Sequence, residues 1–91
     1  MVIQDALQLM VQGLVDHEDM VSIEETTTGA FTSYEILVEP GEARMVIGRG
    51  GSMIKRIRLW AYAAATKQGK RFKVTVRERG NGNGETEVTG S

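Results

Sequence analysis

The residues best suited to chemistry with a ligand lie together at Gly48-Arg49-Gly50-Gly51, after Val46-Ile47 and before Ser52-Met53-Ile54-Lys55-Arg56-Ile57-Arg58. Three glycines in four positions free the backbone around Arg49 and remove the Cβ atoms that would hold a ligand away. From Ser52 onward, Ile54, Ile57, Ala61 and Ala64 recur at helical spacing, which predicts a helix with Ser52 as its N-cap. Lys55, Arg56 and Arg58, with Arg49 just ahead, stand where a self-sufficient helix favours Asp or Glu. Each such cation costs about 0.3–1 kcal/mol against the helix dipole when nothing answers it. Helix N-terminal amides, a close-approach glycine turn and several cations together make a phosphate site. A local rule broken without a gain for folding marks a place where function is expected.

Other chemistries are poorly served. The turn is not a P-loop, since no Gly-Lys-Ser/Thr follows at the required spacing. It is not a dinucleotide fingerprint either, because Met53 occupies the position of the last required glycine. No nucleophile has an adjacent base, so no catalytic residue is assigned and the chain is read as a non-enzyme. Zero cysteines and a single histidine leave no disulfide scaffold and no zinc site, and no cofactor is expected. His17, among acids after the first helix, reads as a solvated turn residue.

Ninety-one residues make one small domain with a modest core. No apolar run approaches the length of a membrane span, and the first helix lacks a signal-peptide pattern, so a cytoplasmic protein is expected. The net charge of −1 conceals a strong asymmetry. Residues 1–43 hold nine acids and no Lys or Arg, whereas residues 44–79 hold all eleven cations against the single acid Glu78, a net +10. Such a division suggests a basic face for nucleic acid and an acidic back.

The elements that must position the turn follow from hydrophobic periodicity. Residues 2–16 form an amphipathic helix, with Gln4, Gln8 and Gln12 in a polar stripe and Ile3, Leu7, Met10 and Leu14 on a wide apolar face that also takes in Val2. Residues 21–26 and 32–38 alternate as half-buried strands joined by a turn at residues 27–30. After Pro40-Gly41, residues 42–47 are long enough only for a short helix that delivers the chain to Gly48 with Arg44 left to face a ligand. The main helix runs from Ser52 to Gln68 and ends at Gly69. Phe72, Val74 and Val76 alternate with Lys73, Thr75 and Arg77 in a third strand. Residues 80–91 (GNGNGETEVTGS) have no buried pattern and read as a disordered tail. The result is an α+β two-layer sandwich, a three-stranded sheet with three helices on one face.

Val46-Ile47-Gly48-Arg49-Gly50-Gly51 followed by Ile54-Lys55-x-Ile57 resembles the signature of KH domains, whose GxxG loop clamps about four nucleotides of single strand. The order α-β-β-α-α-β resembles the bacterial, type II KH fold over roughly residues 2–78, and residues 1–79 are taken as the domain. In size the chain is similar to the small bacterial single-KH RNA-binding proteins of the KhpA family. The resemblance implies that Gly48, Arg49, Gly50 and Gly51 hold the RNA backbone, that Ile47 and Ile54 floor an apolar groove, and that Lys55 meets a phosphate or base edge. Charge and position add Arg44, Arg56 and Arg58, and Lys70, Arg71 and Lys73 are expected on an opposite wall. Phe31, Tyr34, Trp60, Tyr62 and Phe72 read mostly as core, which leaves the groove poor in stacking surfaces and its single-site affinity low. Two linked sites would offset this. The resemblance accordingly implies a homodimer, or a heterodimer with a second KH-containing protein, acting as an RNA chaperone or post-transcriptional regulator. The competing reading is a protein-interaction module that assembles with a larger RNA-binding protein or the ribosome.

Overall fold

Leu7 and Val11, fully buried on the first helix, tie that element to the centre of the molecule. The computed structural model describes residues 3–69 and 71–80; the expected contributions of Val2, Lys70 and residues 81–91 lie outside the described residues. Helix α1 (Ile3–Gln12) sends Ile3, Leu7 and Val11 inward at the expected spacing. Its glutamines do more than face solvent. The side-chain amides of Gln4, Gln8 and Gln12, one turn apart, donate to the carbonyl oxygens of Ile23, Val21 and Glu18 and staple the helix to the chain that follows. The helix stops at Gln12 rather than running to Asp16. The Gly13 amide makes the last i→i−4 bond, to the Leu9 carbonyl at 3.2 Å, and Leu14 then closes a tighter turn onto Val11 at 2.9 Å that returns Val15 to the core.

Strands β1 (Ser22–Thr28) and β2 (Phe31–Val38) pair antiparallel from Ser22↔Leu37 to Thr28↔Phe31. Gly29-Ala30 makes a two-residue connection, tighter than expected, with Gly29 at φ +61° as such hairpins require. After α2 (Ala43–Ile47) and α3 (Ser52–Lys67), strand β3 (Arg71–Glu78) returns parallel to β2, giving the sheet order β1-β2-β3. Alternation then fixes the two faces. Ile23, Tyr34, Ile36, Val74 and Val76 meet Ile54, Ile57, Ala61 and Ala65 of α3 and Val46 of α2 in one core beneath the three helices. The small side chains of Ala61 and Ala65 let α3 lie close on the sheet.

The other face is open and polar. There Arg77 pairs with Glu35 at 3.3 Å. Arg79 reaches across to the Ser22 hydroxyl at 2.6 Å and the Met20 carbonyl at 2.9 Å, on the level where Leu37 lies between Ser22 and Arg77 in the register. Parallel return of β3 brings its last residue to the start of α2. The Glu78 carboxylate accepts from the amides of Gly41 (2.9 Å) and Ala43 (3.3 Å), so the only acid of the basic half caps the helix that precedes the glycine turn.

Candidate nucleic-acid interface

The glycine turn is built from three residues with positive φ that do different jobs. Gly48 (φ 78°, ψ 173°) closes α2, its amide donating to the Arg44 carbonyl at 2.9 Å. A Cβ here would fall 2.7 Å from the Met53 Cβ and 2.8 Å from its nitrogen, so Gly48 is demanded by the packing of α3's first turn. Gly50 (φ 62°) and Gly51 (φ 79°) meet nothing within 4 Å and are required by backbone conformation alone. The Gly51 amide is spent inside the turn on the Gly48 carbonyl at 3.1 Å. Arg49 and Gly50 therefore form the exposed crest.

Ser52 does not cap α3. It is already helical (φ −65°, ψ −39°), and left-handed Gly51 occupies the N-cap position with no side-chain hydrogen bond to the first turn. The sequence expectation assigned the cap one residue late. With glycine in that place no side chain of the N-cap residue accepts from the amides of the first turn.

Around this opening stand the cations. Arg44, Arg49, Lys55 and Arg56 are exposed, and none of the four has an ion pair among the described residues. Arg58, one turn along α3 from Lys55, is partly buried. Ile47 is half-exposed and, with Gly41, Ala43, Arg44, Gly48 and Glu78, lines an open groove of about 460 Å³ between α2 and the end of β3. Ile54 is 1% exposed and supports this region from beneath rather than offering it a surface.

The expected opposite wall is arranged differently. Arg71 and Lys73 alternate with the core residues Val74 and Val76, so they lie on the open face of the sheet, near the start of β3. The glycine turn neighbours the other end of that strand, where Glu78 joins its groove. Lys70 lies outside the described residues.

One expectation about side chains is corrected and another is extended. Phe31 and Tyr62 are not core: they are 42% and 62% exposed. Phe31 shares the open sheet face with Ser33 and Glu35, and Tyr62 lies outside the row of Ile57, Ala61 and Ala65 that α3 buries. Tyr34 is buried, and Trp60 and Phe72 pack partly against the core, as expected. His17 is exposed, as expected of a solvated turn residue, with its side chain 64% in water, but it has a partner. Its Nδ1 lies 2.8 Å from Oε2 of Glu42, a 5% exposed carboxylate that also accepts from the amides of Asp16 and His17, each at 3.2 Å. Glu42 immediately precedes α2, so this contact anchors the α1–β1 connection beside the helix that leads into the turn.

The hydrogen bond and negative charge of Glu42 hold the His17 imidazole above its ordinary value. Burial pushes the Glu42 carboxyl up, but the imidazole and the two amides outweigh it, and the net displacement is downward. Sequence reasoning missed both Glu42 and Glu78 as structural partners. The one available signal was that Glu78 is the lone acid in a run of cations.

Comparison with known proteins follows the same lines as this geometry. A sequence model of the family described as KhpA/KhpB, KH domain, matches residues 4–76. The chain is 37% identical over 67 residues to the RNA-binding protein KhpA of Halalkalibacterium halodurans, covering 74% of this chain and 88% of that protein. It is 36% identical over 70 residues to the RNA-binding protein KhpA of Clostridium acetobutylicum, covering 77% and 93%. Against the RNA-binding protein KhpA of Aquifex aeolicus the identity is 30% over 76 residues, covering 84% and 96%.

Proposed function

The chain belongs to the KhpA/KhpB KH-domain family, and on that premise we propose that it binds single-stranded RNA, with Gly48-Arg49-Gly50-Gly51 and the basic opening of α3 as the clamp. One observation carries the reading. A helix opens on an uncapped glycine turn among four exposed cations, Arg44, Arg49, Lys55 and Arg56, for which no carboxylate partner stands among the described residues. A phosphate chain supplies both the acceptors and the negative charge that this arrangement lacks. Ile47 gives a base an apolar rest beside Gly48, and Arg58 extends the positive surface along α3. Arg71 and Lys73 belong to a secondary contact, reached by a strand that rounds the β3 edge.

The protein is a binder and not an enzyme, and it acts in the cytoplasm as an RNA chaperone or post-transcriptional regulator. One clamp of about four nucleotides binds weakly, so the working unit is a homodimer or a pair with a second KH-containing protein, in which two clamps raise each other's effective concentration. No helix among the described residues is long and apolar enough to cross a membrane.

The test places carboxylates where phosphates are to lie. Gly50 has open space around it, and Asp tolerates a left-handed backbone better than most residues, so Arg49→Asp with Gly50→Asp should fold. The expected result is loss of binding to random single-stranded RNA with circular dichroism and light-scattering mass unchanged and melting lowered by no more than the left-handed penalty of a side chain at Gly50. Binding equal to the parent's overturns the clamp and leaves the fold as a protein-interaction module.

A further inference from the structure

The flank of α3 that carries Lys55 and Arg58 continues to Tyr62 at intervals of three and four residues, so the three side chains stand in one row. From Lys55 to Tyr62 the row covers about 10 Å of helix axis. Tyr62 is 62% exposed and its ring rests against Phe72 of the edge strand β3, with centroids 6.0 Å apart and planes inclined by 49°. Phe72 is itself packed on the core, so one side of the tyrosine ring is braced while most of the side chain stays in water. Isolated surface aromatics are ordinary. Tyr62 differs in two respects: it is braced by a second aromatic, and it lies in line with cations that begin at the glycine turn.

The charge around it selects the kind of occupant. Helix α3 contains no Asp or Glu, and exposed Arg71 adjoins Phe72 at the start of β3. A polyanion with flat apolar rings matches cations followed by an aromatic step, because every base has a π-face and every nucleotide a phosphate. The groove expected to be poor in stacking surfaces gains one from the exposure of Tyr62.

We propose that Tyr62 is a base-stacking residue, and that the RNA strand runs from the glycine turn along the Lys55–Arg58 flank of α3 to a further nucleotide seated on the Tyr62–Phe72 pair. The site is then longer than the clamp. The proposal rests on the RNA-clamp reading above, and the experiment separates the two failures.

Binding of the full chain is measured with single-stranded RNAs of about four and about eight nucleotides, for the parent, Tyr62→Ala, Tyr62→Trp and the Arg49→Asp/Gly50→Asp variant. Tyr62→Ala should weaken the longer RNA about 5- to 20-fold, the lower part of the range for loss of one stacked base, and leave the shorter RNA unchanged. Tyr62→Trp should bind the longer RNA at least as well as the parent. Titration with the longer RNA should also move the Tyr62 ring protons upfield in NMR spectra, and titration with the shorter should not.

Equal affinity of Tyr62→Ala and the parent for the longer RNA, with the double variant inactive, overturns the stacking step and leaves the clamp intact. A change in light-scattering mass without a change in RNA affinity assigns the pair to a protein contact and likewise overturns it. Failure of the parent to bind either RNA removes the underlying reading itself.

Discussion

Glu42 and His17 show how single residues set the conditions under which the turn is held. Both charged forms are favoured by the fold, and the signs differ. His17 is raised above 6.5, so its contribution is complete below that value and is lost as pH rises through the raised one. Glu42 is lowered below 4.5, so its contribution is complete above that value and is lost as pH falls through the lowered one. The pair therefore stabilises most between pH 4.5 and 6.5. Thermal melts across pH should fall on the alkaline side of this window, and His17→Ala should flatten that limb; an unchanged alkaline limb in the variant would show that the contact adds nothing. The two residues are 25 apart in sequence, and nothing in the local pattern around either reports the other.

The glycines of the turn separate at the same scale. Gly48→Ala forces a Cβ to within 2.7 Å of Met53 at φ 78° and should cost well over the strain alone, about 2–4 kcal/mol in denaturant unfolding. Gly50→Ala meets open space at φ 62° and should cost only the left-handed penalty, about 1–2 kcal/mol. The motif made all three glycines visible in the sequence, but not that one of them serves packing while the others serve backbone shape.

At the scale of elements, α3 carries an unfavourable charge at its own start. If those cations are kept for a ligand, stability and binding must respond oppositely to their reversal. Lys55→Glu should raise stability by about 0.3–1 kcal/mol at low salt while weakening RNA binding. Loss of both, or of neither, would detach the cation from the clamp. The helices and strands themselves were legible because apolar residues repeat at periods near 3.6 and 2, and each appears within a few residues of its expected place. Boundaries moved where glycine competes with propensity: Gly13 stops α1 early, and Gly51 takes the cap expected of Ser52. Phe31 and Tyr62 were misjudged on hydrophobicity when parity along β2 and angle around α3 already set them apart from the buried rows. The polar face of Gln4, Gln8 and Gln12 was visible as a stripe, but its bonds to Ile23, Val21 and Glu18 depend on how α1 lies against β1.

Across the whole molecule the charge asymmetry of the sequence becomes an asymmetry between the two edges of one sheet. The acids Glu24 and Glu25 lie on β1 at one edge, and the cations of α2, α3 and β3 gather toward the other, where the acids Glu42 and Glu78 accept hydrogen bonds from His17 and from backbone amides. A protein of net charge −1 can then attract RNA at one edge without binding polyanions over its whole surface. The consequence is a small, countable electrostatic footprint. If the clamp neutralises about three phosphates at roughly 0.7 released counterions each, log affinity against log salt should fall with a slope near −2. Arg49→Ala should make that slope shallower by about 0.7, because one phosphate partner is removed. Arg71→Ala should make it shallower by a similar step for an RNA long enough to round the β3 edge, and an unchanged slope would remove the secondary contact on the open face. A flat salt response in the parent would mean that phosphates are not what the basic edge binds, whatever else the fold assembles with.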